Sequence, residues 1–182
     1  MWSFKNTALA CFLLALSACG FQPLYAGKGE QGVLAGDEMS GSLSTVFINT
    51  IPGVYGQMLR SRLTDMMTPK GNPEKPLFRL AVSLPEPSVT ELGIQMDNFA
   101  TRLTLTYNAT YELTTYPAGK IIMSDIASAT GSYNIIVSPY ATEVAERALK
   151  KRLIDILGND ISMRIAVYLR DHPDLIRAEA EK

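Results

Sequence analysis

Residues 102–114 alternate without a break. Leu103, Leu105, Tyr107, Ala109, Tyr111 and Leu113 are apolar or aromatic, and Arg102, Thr104, Thr106, Asn108, Thr110, Glu112 and Thr114 between them are polar. A period of two places one set on each face of a pleated strand. Threonine, being β-branched, suits the exposed face. The chain must therefore build a sheet with one covered and one open face, and the elements around this strand are read for what pairs with it and what covers it.

Pro117-Ala118-Gly119-Lys120 makes a hairpin turn after it, and residues 120–133 form the return strand. Ser124, Ala127, Ser128, Ala129 and Gly131 are small there and leave room for a helix to cross the sheet. Upstream, Leu77–Leu84 is a strand with Phe78, Leu80, Val82 and Leu84 on its buried face. Pro85-Glu86-Pro87 stops its ladder, because proline has no N–H to donate. Residues 89–96 read either way, as loop or as an extension of that strand after a bulge. A first strand covers Leu43–Asn49, and Pro52-Gly53 breaks it.

Two segments have helical spacing. In residues 54–67, Val54, Met58 or Leu59, Leu63 and Met66-Met67 share one face, with Arg60 and Arg62 towards the other. The second opens at Ser138-Pro139, a serine cap with proline at the first helical position. Its stripe includes Ala145, Leu149, Leu153, Ile156, Leu157, Ile161, Ile165 and Leu169. Glu143–Arg147 and Glu146–Lys150 are i,i+4 pairs. Gly158 interrupts the pattern and implies a kink or close packing, since glycine there costs about 1 kcal/mol against alanine. His172-Pro173 ends the helix, leaving a frayed tail at 173–182. The order β-α-β-β-β-α gives an α+β fold, a two-layer sandwich with two helices on one face of a four-stranded, mostly antiparallel sheet.

The N-terminal end has a different character. Lys5 is followed by an apolar run, Ala8 to Leu16, of signal-peptide length and too short to span a membrane. Leu16-Ser17-Ala18-Cys19 resembles the bacterial lipobox. That resemblance implies a signal peptide at 1–18, cut before Cys19, and a cysteine carrying diacylglycerol and an amide-linked acyl chain such as palmitate; two or more chains anchor stably where one does not. Gly20, rather than the aspartate read as inner-membrane retention, implies the outer membrane. Residues 19–38 form the lipidated start and a glycine-rich tether, and 39–172 the folded domain.

Composition removes most chemistry. Hydrophobic content is 47% and charged content 19%, a globular balance. Lys and Arg total 17 against 18 Asp and Glu, and no basic, aromatic-laced run appears, so nucleic acid is not a partner. With 2 cysteines, one in the signal and one acylated, no disulfide forms in the domain. The 1 histidine, His172, sits at a helix end. There is no Gly-x-Gly-x-x-Gly after a strand and no Walker loop, and too few His and Cys for a metal site. Glu86, Glu91 and Asp97 share a proline-rich region, where acidic residues flank strand breaks. The reading is no enzyme, no cofactor and no metal; what remains is binding, through the Thr-rich face and the loops bearing Arg102, Lys120 and Lys75. That face lines a polar cavity such as a barrel lumen or simply meets solvent.

Cys19-Gly20-Phe21-Gln22-Pro23-Leu24-Tyr25 is similar to the start of mature LPS-assembly lipoproteins of the LptE family, in its alphaproteobacterial-type version. The resemblance implies two helices against a four-stranded sheet and a non-enzymatic role. It implies a lipoprotein anchored in the Gram-negative cell outer membrane on the periplasmic side, plugging the translocon barrel LptD, helping it fold, and contacting lipopolysaccharide in transport. Family lipid-binding residues are basic and near strand ends, which points by position to Arg102 and Lys120. The alternative is an auxiliary lipoprotein of an ABC-type lipid transport system.

Overall fold

The computed structural model describes residues 42–94, 100–135 and 138–180. The elements in order are β1 (Val46–Ile48), α1 (Val54–Met67), β2 (Phe78–Ser83), β3 (Ser88–Ile94), β4 (Ala100–Thr115), β5 (Ile121–Asn134), α2 (Pro139–Asp171) and α3 (Pro173–Ala180). The α+β class is as expected. Cys19, the signal segment, the tether and Asp97 lie outside the described residues.

β4, the alternating segment, is the centre of the sheet. β5 pairs antiparallel with one edge of it, from Arg102↔Asn134 to Thr114↔Ile121, with one irregularity between Leu113 and Thr114. Its other edge carries two strands in succession. β2 takes Thr110 to Thr115 and β3 takes Ala100 to Thr106. The expected four-stranded sheet is therefore one of five strands. Residues 88–94 do continue along the edge that β2 occupies, but Pro85 and Pro87 cannot donate across the gap, so the ladder is cut into two strands. β1 lies outside β2 and parallel to it, Val46↔Phe78 to Ile48↔Leu80. A parallel neighbour needs a crossover connection, and α1 supplies it.

Both long helices cover the odd-numbered face of β4. Leu105, Tyr107, Ala109, Tyr111 and Leu113 are buried there with Phe78 and Leu80 of β2, Leu59 and Leu63 of α1, and Leu153, Leu157, Ile161 and Ile165 of α2. Fully burying an aliphatic side chain of this size contributes about 1.5–3 kcal/mol. α2 runs antiparallel to β5 above it: Tyr168 Oη donates to Ile122 O at 2.7 Å, Arg164 meets Asp125 at 2.7 Å, and Tyr133 Oη donates to Glu146 at 3.1 Å. The small residues of β5 permit this. A Cβ on Gly131 would stand 2.6 Å from Leu149 Cδ1.

Of the two readings for Gly158, close packing is the one seen. It is buried where α1 crosses α2, and α2 runs as one helix through it. Ser138 caps α2, accepting from Ala141 N–H at 3.4 Å, and both expected i,i+4 pairs form, Lys150–Glu146 at 2.7 Å and Arg147–Glu143.

Two side chains depart from the expected faces. Val54 is 76% exposed and Ile156 is 43% exposed. Val54 begins α1, before the helix has reached the sheet. Ile156 lies on the flank of α2 turned away from α1, so the buried stripe passes through Leu157 and Ile154 beside it. The expected frayed tail also differs: Pro173 starts α3, with Asp174 in its first turn, where the helix dipole favours an acid.

Candidate functional site

The even-numbered face of β4 has no helix over it, and its polar residues pair across to β5. Arg102 Nε donates to Asn134 Oδ1 at 3.1 Å, Thr104 and Ser132 hydroxyls meet at 2.9 Å, Thr106 and Thr130 at 3.0 Å, and Ser128 Oγ donates to Asn108 Oδ1 at 2.7 Å. These are four consecutive rungs in register. On the other side Ser88 Oγ donates to Thr106 O at 3.3 Å, extending the row to β3. Each hydroxyl has donor and acceptor capacity beyond its rung. Opposite pairs of this type each stabilise the sheet by roughly 0.2–1 kcal/mol. The product is an open, hydroxyl-rich surface, suited to lie against another polar surface.

Charge enters at its ends. Arg102 lies beside Asn134 at one end of the β4–β5 hairpin and Lys120 at the turn of the other, both exposed. The thirteen steps of strand between residues 102 and 115 put them roughly 40 Å apart. The two residues therefore do not share a site. Lys120 instead lies at the end of the sheet where β2 begins, as Arg79 does: the turn is held by Thr115 N–H to Lys120 O at 2.9 Å and Tyr116 N–H to Leu77 O at 2.8 Å, and Gly119 takes φ +72°. The Arg79 guanidinium lies 4.9 Å from the centre of the Tyr116 ring. Arg79 was not singled out from sequence. The signal was its position, since Arg79, Ala81 and Ser83 occupy the exposed parity of β2 opposite Thr114, Glu112 and Thr110.

The covered face is tied down electrostatically along β5. Arg164 reaches Asp125 at 2.7 Å and Asp160 at 2.9 Å. The backbone N–H of Ile126 and the Arg164 guanidinium hold the Asp125 carboxyl below its usual range. Lys150 and Tyr133 do the same for Glu146, chiefly through the Lys150 hydrogen bond. Beneath them Tyr107 is 1% exposed and its hydroxyl has no partner among the described residues. Burial first, and Glu86 second, push its phenol up to about 12. The ring lines a cavity of about 40 Å³ with Gly53, Tyr55, Leu84 and Glu86, room for water-sized occupants.

His172 is exposed at the end of α2, stacked on Tyr168 at 4.4 Å with Nδ1 2.9 Å from Tyr168 O, an end-of-helix contact. Among the described residues no group of three His, Cys, Asp or Glu side chains gathers to hold a metal, and no helix is long and apolar enough to cross a membrane.

Solved structures share this architecture. A candidate lipoprotein from Caulobacter crescentus is 22% identical over 72% of this chain and 95% of its own, with a TM-score of 0.56. Lipoprotein B from Nitrosomonas europaea is 15% identical, covering 70% of this chain and 87% of that one, TM-score 0.53. Rare lipoprotein B from Shewanella oneidensis is 13% identical, covering 68% and 94%, TM-score 0.51. No family model matches the chain. No curated sequence matches it. At these identities the likeness is one of fold: two long helices on one side of an antiparallel-rich sheet, found in proteins described as bacterial lipoproteins.

Proposed function

We propose that this chain is a non-enzymatic outer-membrane lipoprotein, anchored through Cys19 on the periplasmic side, that plugs the LptD translocon barrel, helps it assemble, and assists lipopolysaccharide towards the outer leaflet. The observation that carries the reading is the open face of β4 and β5. A sheet face meeting only water is ordinarily dressed in lysine and glutamate, whereas this one is a hydroxyl array with charge at its margins. The lumen of an outer-membrane barrel is polar, and an open hydroxyl surface meets such a wall with its charges at the margins. The Cys-Gly-Phe-Gln-Pro-Leu-Tyr start and the fold shared with proteins described as lipoproteins support the same assignment.

Lipopolysaccharide contact falls to the cationic margins. Arg79 and Lys120 lie at the turn end, as does Lys75 two residues before Leu77, and Arg102 stands at the other, so phosphate groups have two separate points of approach. The test is affinity purification of the tagged full-length chain from detergent-solubilised outer membranes. Co-purification of the LptD barrel is expected. Recovery of an inner-membrane ATPase complex in its place would move the assignment to an ABC-type lipid transport system.

A further inference from the structure

The sheet ends at β5 in a manner that invites another strand. β5 pairs with β4 along one edge, and among the described residues no strand pairs with the other, where the Ile126 N–H donates to Asp125 Oδ1 at 2.8 Å. Exposed edges are commonly guarded by proline, lysine, a mid-strand bulge or short length. β1, at the far side, has 3 residues. β5 has 14, contains no proline, lysine or arginine, and its one charge, Asp125, reaches Arg164 on the helix side with one oxygen and accepts from the Ile126 N–H with the other, a bond the incoming strand would take over.

The helix above this edge has a matching flank. α2 faces the sheet through Leu153, Leu157 and Ile161, and faces α1 through Asn159 and Ser162, which meet Arg62 and Met66. The opposite flank, beyond the β5 edge, exposes Ile156, Met163 and Val167. A long strand edge free of proline and lysine and an apolar helix flank thus lie one above the other on the same side of the molecule.

The charges select the occupant. Contacts between α2 and β5 run Tyr168 to Ile122, Arg164 to Asp125, and Leu149 to Gly131, which puts Ile156 level with Ser128. Under a two-fold axis at that level, Ser128 faces Ser128 of the second copy and Ile126 faces Thr130. On the helices, Ile156 faces Ile156 and Arg152 faces Asp160. Arg152 is exposed and has no ion pair among the described residues, and Asp160, half-buried and paired with Arg164 at 2.9 Å, keeps an oxygen for a second cation. Asp125 falls opposite Gly131, so no like charges meet.

We propose that two copies of this chain pair antiparallel through their β5 edges about a two-fold axis at Ser128, joining the two sheets into one and closing the α2 flanks over the seam. The inference concerns the chain freed of any barrel, and it stands apart from the barrel reading. A residue on the axis of an antiparallel pair has its Cα about 4.5–5.5 Å from its twin, within disulfide range.

The experiment uses the full-length chain purified in detergent and mildly oxidised, with the unsubstituted chain as the baseline for its own cysteines. Ser128→Cys is expected to cross-link to a dimer on a non-reducing gel, and Asn108→Cys, on the same face but inside the sheet, is not. Ile156→Lys sets two ammonium groups face to face at the axis, and weakens the dimer about tenfold or more by sedimentation while leaving the circular dichroism melt unchanged. A monomer at all concentrations, cross-linking from Asn108→Cys as strong as from Ser128→Cys, or a dimer indifferent to Ile156→Lys would each overturn the proposal.

Discussion

Gly158 of α2 rests on Arg62 of α1: a Cβ at residue 158 would stand 2.8 Å from Arg62 Cγ and 3.7 Å from Leu59 Cδ1. Gly158 gives the helix contact a point of minimal bulk, and the stem of Arg62 fills the space before its head reaches Asn159 at 3.2 Å. Alanine would gain about 1 kcal/mol in helix propensity, while overpacking costs typically about 1–3 kcal/mol. Gly158→Ala is accordingly expected to be destabilising by up to about 2 kcal/mol, and Gly158→Val more, in urea unfolding. An alanine variant more stable than the parent would show that the helices are not in contact there.

The start and the middle of α1 separate burial from periodicity. Val54 and Leu59 both sit in a helical apolar pattern, but Val54 is exposed and Leu59 is fully buried. Leu59→Ala should cost about 2–5 kcal/mol. Val54→Ala should stay within about 0.5 kcal/mol. Equal losses in denaturant titration would mean that α1 is rotated relative to the sheet.

Those same residues show what was legible in the chain. β4 could be read to within two residues because thirteen positions obey one period, and α1 because a Pro-Gly break and a Pro-rich exit bound it. The phase of α2 was not readable at Ile156, because the helix buries two different flanks, one on the sheet and one on α1. The parallel pairing of β1 with β2 is set by α1 crossing between them, which no local pattern records. Of the site, the Thr-rich face was visible and its rungs were not, since a rung needs the register of β5. Arg102 and Lys120 looked alike as strand-end cations, and the hairpin holds them apart.

Tyr107 carries a pH signature. Its phenol is pushed up to about 12 by burial and by Glu86. An unfolded tyrosine titrates near 10. A raised folded value means the stabilisation is fully present below pH 10 and is lost as the pH rises towards about 12. Ultraviolet titration should therefore show Tyr107 ionising late, with Tyr111 and Tyr133, whose phenols burial also raises, together with alkaline unfolding, and Tyr107→Phe should reduce that late step by one tyrosine. The phenylalanine variant should also be close to neutral in stability at pH 7, because the hydroxyl has no protein partner to lose. A Tyr107→Phe loss of several kcal/mol would instead require a strong bond to that hydroxyl.

The Arg164–Asp125 contact ties α2 to β5. Asp125 has its carboxyl lowered, so its contribution is present at neutral pH and fades as the pH falls through the acidic folded value. Between pH 7 and pH 3, the parent should lose more stability than Arg164→Met, which has no such contact to lose. Parallel acid profiles would mean that the ion pair is fully screened by solvent.

The central claim is that the hydroxyl face of β4 and β5 lies against a barrel wall. A photo-reactive residue placed at Thr106, in the middle of the ladder, tests it most directly in cells expressing the full-length chain. An adduct with LptD is expected, lost when Thr130→Glu and Ser132→Glu place charge on the same face, with the chain still folded and exported. Labelling of that barrel from α1 or α2 positions such as Asp65 or Lys151, with none from Thr106, would put the helices against the wall and contradict it.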